Sequence, residues 1–338
     1  MDIKLVRIMK RVMMASLATC FVSFSNLAQA EVDWYSLTMD NDTFVGNDNG
    51  YTNGIFFTWI DTPDNNKPEI GFIARAMKWS LPDGDTPVSE FDIKTIGQMM
   101  ITPGDITVDP PIPPPAELPY GGLLFYADTF VRVHERYADR ITVTIGVVGE
   151  PSLAEKAQEF VHDVIGSDEP CCWDTQLDDE VVFQVSRGRV WRSWVSDGGN
   201  ADLLLSANAQ LGTIESSVGA AFMVRYGAQI ERTYATALLV SSRTANPFAT
   251  ENGWYVFAGL RASYLANHIF LDGSKSYDDT FQEIDYQNDM LGYTAGLAYS
   301  WKNWSFTFAV NDLNVNEDDD SVNEFTQYGT FTLAWRAN

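Results

Sequence analysis

Asp40-Asn41-Asp42-Thr43-Phe44 and, a few residues on, Asp48-Asn49-Gly50-Tyr51-Thr52-Asn53-Gly54 gather carboxylates, amides, hydroxyls and glycines. They stand at the end of one alternating run and the start of the next. Hard oxygen donors at a strand end suit a Ca²⁺ site or a polar catalytic cleft. The same residue types build hairpin turns, so the cluster alone reads either way. A second group lies far along the chain. His162 follows Gln158 by four residues, which puts both on one face of a helix. An imidazole titrates near neutral pH and can serve as a general base, although an exposed helix histidine is the plainer reading. The other two histidines, His134 and His268, fall near strand ends and read as interfacial. No Gly-x-Ser-x-Gly elbow occurs, so a serine nucleophile of the hydrolase kind has no support.

The elements that must carry these groups begin after an export signal. Lys4, Arg7, Lys10 and Arg11 precede an apolar stretch from Val12 to Leu27, and Ala28-Gln29-Ala30 is an A-x-A cleavage site. Residues 1–30 are therefore expected to be a signal peptide and 31–338 a single folded unit. The formal charge is −24. Such acidity excludes nucleic acid as a natural partner and suits a setting rich in divalent cations. Past the signal only Cys171 and Cys172 remain. Adjacent cysteines close a strained ring, so two thiols are expected rather than a disulfide.

The later chain alternates with period two. Phe331, Leu333 and Trp335 interleave with Thr330, Thr332 and Ala334, and Trp304, Phe306 and Phe308 with Ser305, Thr307 and Ala309. Runs of roughly ten residues match a tilted strand crossing a bilayer, with large apolar groups facing lipid and small or polar ones facing a lumen. Trp254, Trp301, Trp304 and Trp335 lie near run ends, as in an aromatic girdle. The fold class expected is all-β: a transmembrane antiparallel β-barrel of about twelve strands with a short helical insert. The runs are 33–41, 51–61, 91–101, 121–134, 140–149, 180–192, 202–212, 218–228, 253–267, 289–301, 304–313 and 324–336. The insert spans 151–162, where Ser152 and Glu155 read as a capping box. It must sit on a loop side or plug the lumen. The loop 104–119, with its proline-rich stretch 110–115, reads as a rigid, extended excursion, and the acidic run 317–320 as a solvated loop tip.

The ordered set of motifs resembles the outer-membrane lipid A 3-prime O-deacylases. It comprises Asn41-Asp42, Tyr51-Thr52-Asn53-Gly54, Gln98 to Pro103, Pro119-Tyr120-Gly121-Gly122, Gly146 to Ser152, Gln158 to His162 and Trp173 to Leu177. The resemblance implies a site near the outer-leaflet rim, a lipopolysaccharide substrate amid outer-membrane lipid, and hydrolysis of the ester that holds the 3-prime acyloxyacyl chain. It also implies Ca²⁺ dependence. By motif, the catalytic residues fall on Asn41, Asp42, Thr52 and His162. His162 would activate water, Asp42 and Thr52 would hold Ca²⁺, and Asn41 with backbone N–H groups near Gly50 or Gly54 would meet the oxyanion. A monomer in the bacterial outer membrane is expected. Another acyl-ester hydrolase such as a phospholipase, or a non-catalytic channel or adhesin, is the alternative. Two departures stand out. The chain ends Trp335-Arg336-Ala337-Asn338 rather than on an aromatic residue, and bases for lipid A phosphates are few, with Lys67, Arg75 and Lys78 unassigned.

Overall fold

A computed structural model of the chain describes residues 34–46, 50–61, 79, 86–104, 106–107, 118–165, 169–230, 233, 252–273, 286–314 and 327–337. The signal segment, Asp48, Asn49, Lys67, Arg75, Lys78, the proline stretch and the acidic run lie outside these residues. Twelve strands follow the alternating runs: β1 Trp34–Asn41, β2 Gly50–Asp61, β3 Ser89–Thr102, β4 Gly121–Val133, β5 Tyr137–Val148 and β6 Glu180–Val195. Then come β7 Ala201–Gly212, β8 Glu215–Gly227, β9 Asn252–His268, β10 Asp289–Trp301, β11 Trp304–Asp312 and β12 Gln327–Arg336. Each pairs antiparallel with its sequence neighbours, and β1 pairs with β12 to close the barrel. Closure leaves no open sheet edge, as a spanning sheet requires.

Register shows which way each side chain points. Thr38 opposite Thr332, Thr58 opposite Thr95 and Thr129 opposite Thr142 share hydroxyl hydrogen bonds at 2.9 Å on the buried, lumenal face. Their neighbours Leu37, Ile55, Ile96 and Ile145 face outward and are exposed. Bare aliphatic side chains belong in lipid, so the outward row is the membrane row. The non-aromatic C-terminus does not disturb closure: Arg336 pairs with Trp34, and Trp335 stacks on Tyr35 at 5.7 Å.

Both ends of the lumen carry apolar clusters. Trp34, Ile60, Ile93, Val131, Val190 and Leu204 fill the end that holds the termini. At the opposite end Phe56, Met99, Leu123, Phe270 and Tyr328 pack together, partly through a short helix, α2 (Ile269–Asp272), that follows β9. His268 caps that helix, its Nδ1 accepting from the Phe270 amide at 3.3 Å. His134 is buried and stacks on Tyr137 at 4.2 Å. Both histidines stand at strand ends, as expected, and each is held in local packing.

The inserted helix, α1, runs over Ala154–Ile165 and starts three residues later than expected. The capping box does not form. Leu153 takes a left-handed conformation (φ 59°), which turns the chain between Ser152 and the helix. Ser152 instead donates to the Gly149 carbonyl at 2.6 Å and accepts from the Ala154 amide at 3.4 Å.

Candidate active site on the outer wall

Register carries the Asn41–Gly54 cluster onto the barrel wall. Asn41 is opposite Asn53, Asn53 opposite Met100, and Met100 opposite Gly122. These four form one outward row across β1 to β4 at the end opposite the termini. Between Gly50 and Asn53 the pairing slips: Tyr51 and Thr52 together oppose Ile101. That is a two-against-one β-bulge, a device that re-aims side chains and recurs beside active sites. Thr52 thus sits at the irregular point of β2, next to Asn53; its side chain is outside the described residues.

A support on the lumenal side fixes this end of the hairpin. Asp40 is 0% exposed and accepts from the Tyr51 hydroxyl at 3.2 Å and the Thr330 hydroxyl at 2.8 Å. Tyr51 reaches it by crossing over Gly54, where an added Cβ would meet the phenol oxygen at 2.2 Å. Only glycine leaves room there. The carboxylate therefore ties the bulge of β2 and the strand β12 to the residue just before Asn41. Asp42, 2% exposed, then opens a 3-10 turn over Asp42–Val45. That turn folds over the outward face of β12, since a Cβ on Gly329 would meet Phe44 Cβ at 2.4 Å.

The other side of the site is the insert. A Cβ on Gly122 would meet Ser152 Oγ at 2.1 Å and Ala154 Cβ at 2.3 Å, so the start of α1 rests directly on the outward face of β4. Gln98, also outward, donates to the Ser152 carbonyl at 2.7 Å. Met100, Tyr120, Ala154, Cys172 and Trp173 form one buried cluster on this outer surface. The helix therefore lies on the outside of the wall and does not plug the lumen. A cleft results with Asn41 and Asn53 on its floor. The Phe44 turn bounds it over β12, and the insert bounds it over β3 and β4. From β12 to β4 is four strand spacings, roughly 19 Å.

On α1 the residues Ala154, Gln158 and His162 recur every fourth position and grade from buried to half-buried. This is the wall-facing stripe. Gln158 is 3% exposed and its Oε1 accepts from the Trp173 indole N–H at 2.7 Å. That contact fixes the amide orientation and leaves Nε2, a donor, without a hydrogen-bond partner among the described residues, one turn from His162. The structure thus groups Asn41, Asp42 and Thr52 at the β1–β2 end and carries His162 on a separate element that faces the same wall. The Trp173–Gln158 contact anchors the helix.

Cys171 and Cys172 are joined as a disulfide, contrary to the two thiols expected. Both lie in the segment that returns to the wall. The Cys171 amide donates to the Ile106 carbonyl at 2.9 Å, and Cys172 is buried beside Trp173. The bridge closes the corner from which Trp173 reaches Gln158.

A twelve-residue helix is marginal alone, so α1 depends on these anchors. Trp173→Phe removes the indole N–H and leaves the buried Gln158 oxygen unpaired, at a cost of about 1–3 kcal/mol. Hydrogen exchange of 154–165 should rise severalfold while the strand amides stay protected. Unchanged exchange in the helix would show that Trp173 is not its anchor.

As for Ca²⁺, a buried carboxylate at Asp42 beside the Thr52 bulge is hard-oxygen chemistry and fits that ion in kind. Among the described residues no three His, Cys, Asp or Glu side chains gather as a metal cluster.

A closed barrel with a lipid-facing row and a cleft at its rim defines an outer-membrane β-barrel protein. The model of the family described as outer membrane protein LpxR matches residues 13–337, and the chain belongs to that family. The solved structure of LpxR from Salmonella typhimurium is 16% identical with a TM-score of 0.71, covering 89% of this chain and 99% of that one. Two autotransporter domains are much looser. The beta domain of Bordetella BrkA is 6% identical over 91% of this chain and 99% of that one, with a TM-score of 0.42. The translocator of NalP from Neisseria meningitidis is 8% identical over 98% and 95%, with a TM-score of 0.39. Among curated proteins none matches.

Proposed function

We propose that this outer-membrane barrel is a lipid A deacylase that hydrolyses the ester of the 3-prime acyloxyacyl chain. The observation that carries the reading is the position of α1. Among the described residues, the one helix long enough to present a base lies on the outer wall, where an acyl ester of a membrane lipid can reach Asn41 and His162 without leaving the bilayer rim.

In this mechanism the His162 imidazole takes a proton from water as its oxygen attacks the ester carbonyl carbon. Charge develops on the carbonyl oxygen, and the Asn41 amide is a neutral donor suited to meet it. Collapse expels the sugar oxygen, which takes the proton back from the imidazolium. The products are a free acyloxyacyl acid and a 3-prime hydroxyl. Asp42 and Thr52 are the residues that would hold Ca²⁺, which when bound supplies Lewis-acid polarisation of the carbonyl.

A channel is disfavoured because apolar clusters occupy the lumen near both ends. A phospholipase would use the same outward cleft and the same chemistry. Mass spectrometry of lipid A and phospholipids from cells with and without the protein separates these readings. Loss of the 3-prime acyloxyacyl group is expected. Intact lipid A with altered phospholipids, or no change in either, would sink the proposal.

A further inference from the structure

Away from the cleft, at the end that holds the termini, the outward row of β5 and β6 carries charge where lipid-facing side chains are expected. Asp139 is opposite Arg189, Tyr137 opposite Trp191, and Ile141 opposite Arg187. One carboxylate, two guanidinium groups and two aromatic rings share one compact arrangement. Asp139, 1% exposed, accepts from Arg187 Nη2 at 2.5 Å and from Arg189 Nε and Nη2 at 2.8 and 2.9 Å. Arg187 also donates through Nη1 to the Arg140 and Gly188 carbonyls at 3.2 and 2.6 Å. The Arg189 guanidinium lies 4.8 Å over the Tyr137 ring and 6.0 Å from the Trp191 ring.

The charge count does not close. Within this cluster two guanidinium groups meet one carboxylate, and the outward pair Arg132–Glu90 on the adjoining strands is neutral, so one positive charge is left here in a chain whose formal charge is −24. The side chains of Arg187 and Arg189 remain 30% and 28% exposed, so the surplus is accessible. Arg189 Nη1 has no hydrogen-bond partner among the described residues. Stacking on Tyr137 holds that face of the fork in one plane. A fixed, planar, partly unpaired guanidinium is built for a bidentate oxyanion. Ionised side chains on a membrane face are costly unless matched by a partner.

The level of the patch identifies the partner. Exposed Trp254, Trp301 and Trp304 mark the same end as an aromatic girdle. This end holds both ends of the barrel chain and the turns 134–136, 196–200 and 302–303, together with the longer connections 62–88 and 228–251; with the aromatic girdle beside it, we take it as the periplasmic side. Tyr137 and Asp139 are the first and third residues of β5, next to the turn 134–136, so Trp191 and Arg189 opposite them stand at the edge of the span, where the headgroup layer begins. Phosphates of glycerophospholipids lie at that depth. We propose that Arg187, Arg189, Tyr137 and Trp191 form a site for the phosphodiester of an anionic phospholipid in the periplasmic leaflet. It is separate from the Asn41 cleft at the opposite rim and does not depend on the activity proposed there.

The test is native mass spectrometry of the folded barrel released from detergent after incubation with phosphatidylglycerol, with diacylglycerol, or with inorganic phosphate. The wild-type barrel should retain phosphatidylglycerol and not diacylglycerol. The triple variant Asp139→Asn, Arg187→Gln, Arg189→Gln removes the cations without stranding a buried carboxylate, and should retain roughly tenfold less. Arg189→Lys keeps the charge and loses the planar fork; it guards against misfolding of the triple variant and should also lower retention. Equal retention of diacylglycerol, displacement of the lipid by inorganic phosphate at equal concentration, or wild-type retention by Arg189→Lys and the triple variant would each overturn the site.

Discussion

His162→Ala is expected to lower the deacylation rate by roughly 10²–10⁴-fold, the range for removing a general base. The loss should fall on kcat, because in the proposed mechanism the imidazole acts on water rather than holding the acyl chain. KM should move little. The fold should not suffer, since His162 is half-buried near the end of α1, beyond the Ala154 and Gln158 anchors. The measurement is turnover of purified lipid A by refolded protein supplied with Ca²⁺, beside heat-modifiable gel mobility as a report on barrel closure. A closed barrel with wild-type kcat would remove His162 from the mechanism and leave the cleft without a base.

Period two made the barrel legible: every strand falls within a few residues of an alternating run, because one face meets lipid and the other a packed lumen. The same period contains a point that residue type alone hides. Asn41 and Asp40 are equally polar, yet alternation sends Asp40 inward and Asn41 outward. The first becomes a support for the Tyr51 bulge and the second a floor for the cleft. What could not be read are contacts set by chain folding at a distance. Trp173 meets Gln158 across a segment whose path is decided by Gly122 and Gln98 on other strands. The capping box failed for a local reason: a left-handed Leu153 diverted the Ser152 hydroxyl to Gly149. The disulfide went unread because adjacent cysteines seldom pair, and only the buried corner beside Trp173 sets this pair apart.

That dependence on a distant glycine gives the sharpest separation of site from scaffold. In Gly122→Ala the new methyl would fall 2.1 Å from Ser152 Oγ and 2.3 Å from Ala154 Cβ, closer than atoms can approach. Ser152 cannot swing aside cheaply. It is fully buried, bonded to Gly149, and its carbonyl is held by Gln98. The start of α1 must therefore lift from the wall, carrying His162 with it. A shift on the order of 1 Å in a catalytic group costs up to about 10²-fold in rate. The barrel should be indifferent, because Gly122 lies on the outward row and its strand keeps its ladder to β3 and β5. The expected signature is lost deacylation with faster hydrogen exchange over 154–165, alongside unchanged heat-modifiable mobility. Ser152→Gly in the same chain removes the hydroxyl the methyl strikes and should restore part of the activity. Full activity in Gly122→Ala alone would mean that the docking of α1 on β4 does not position the site.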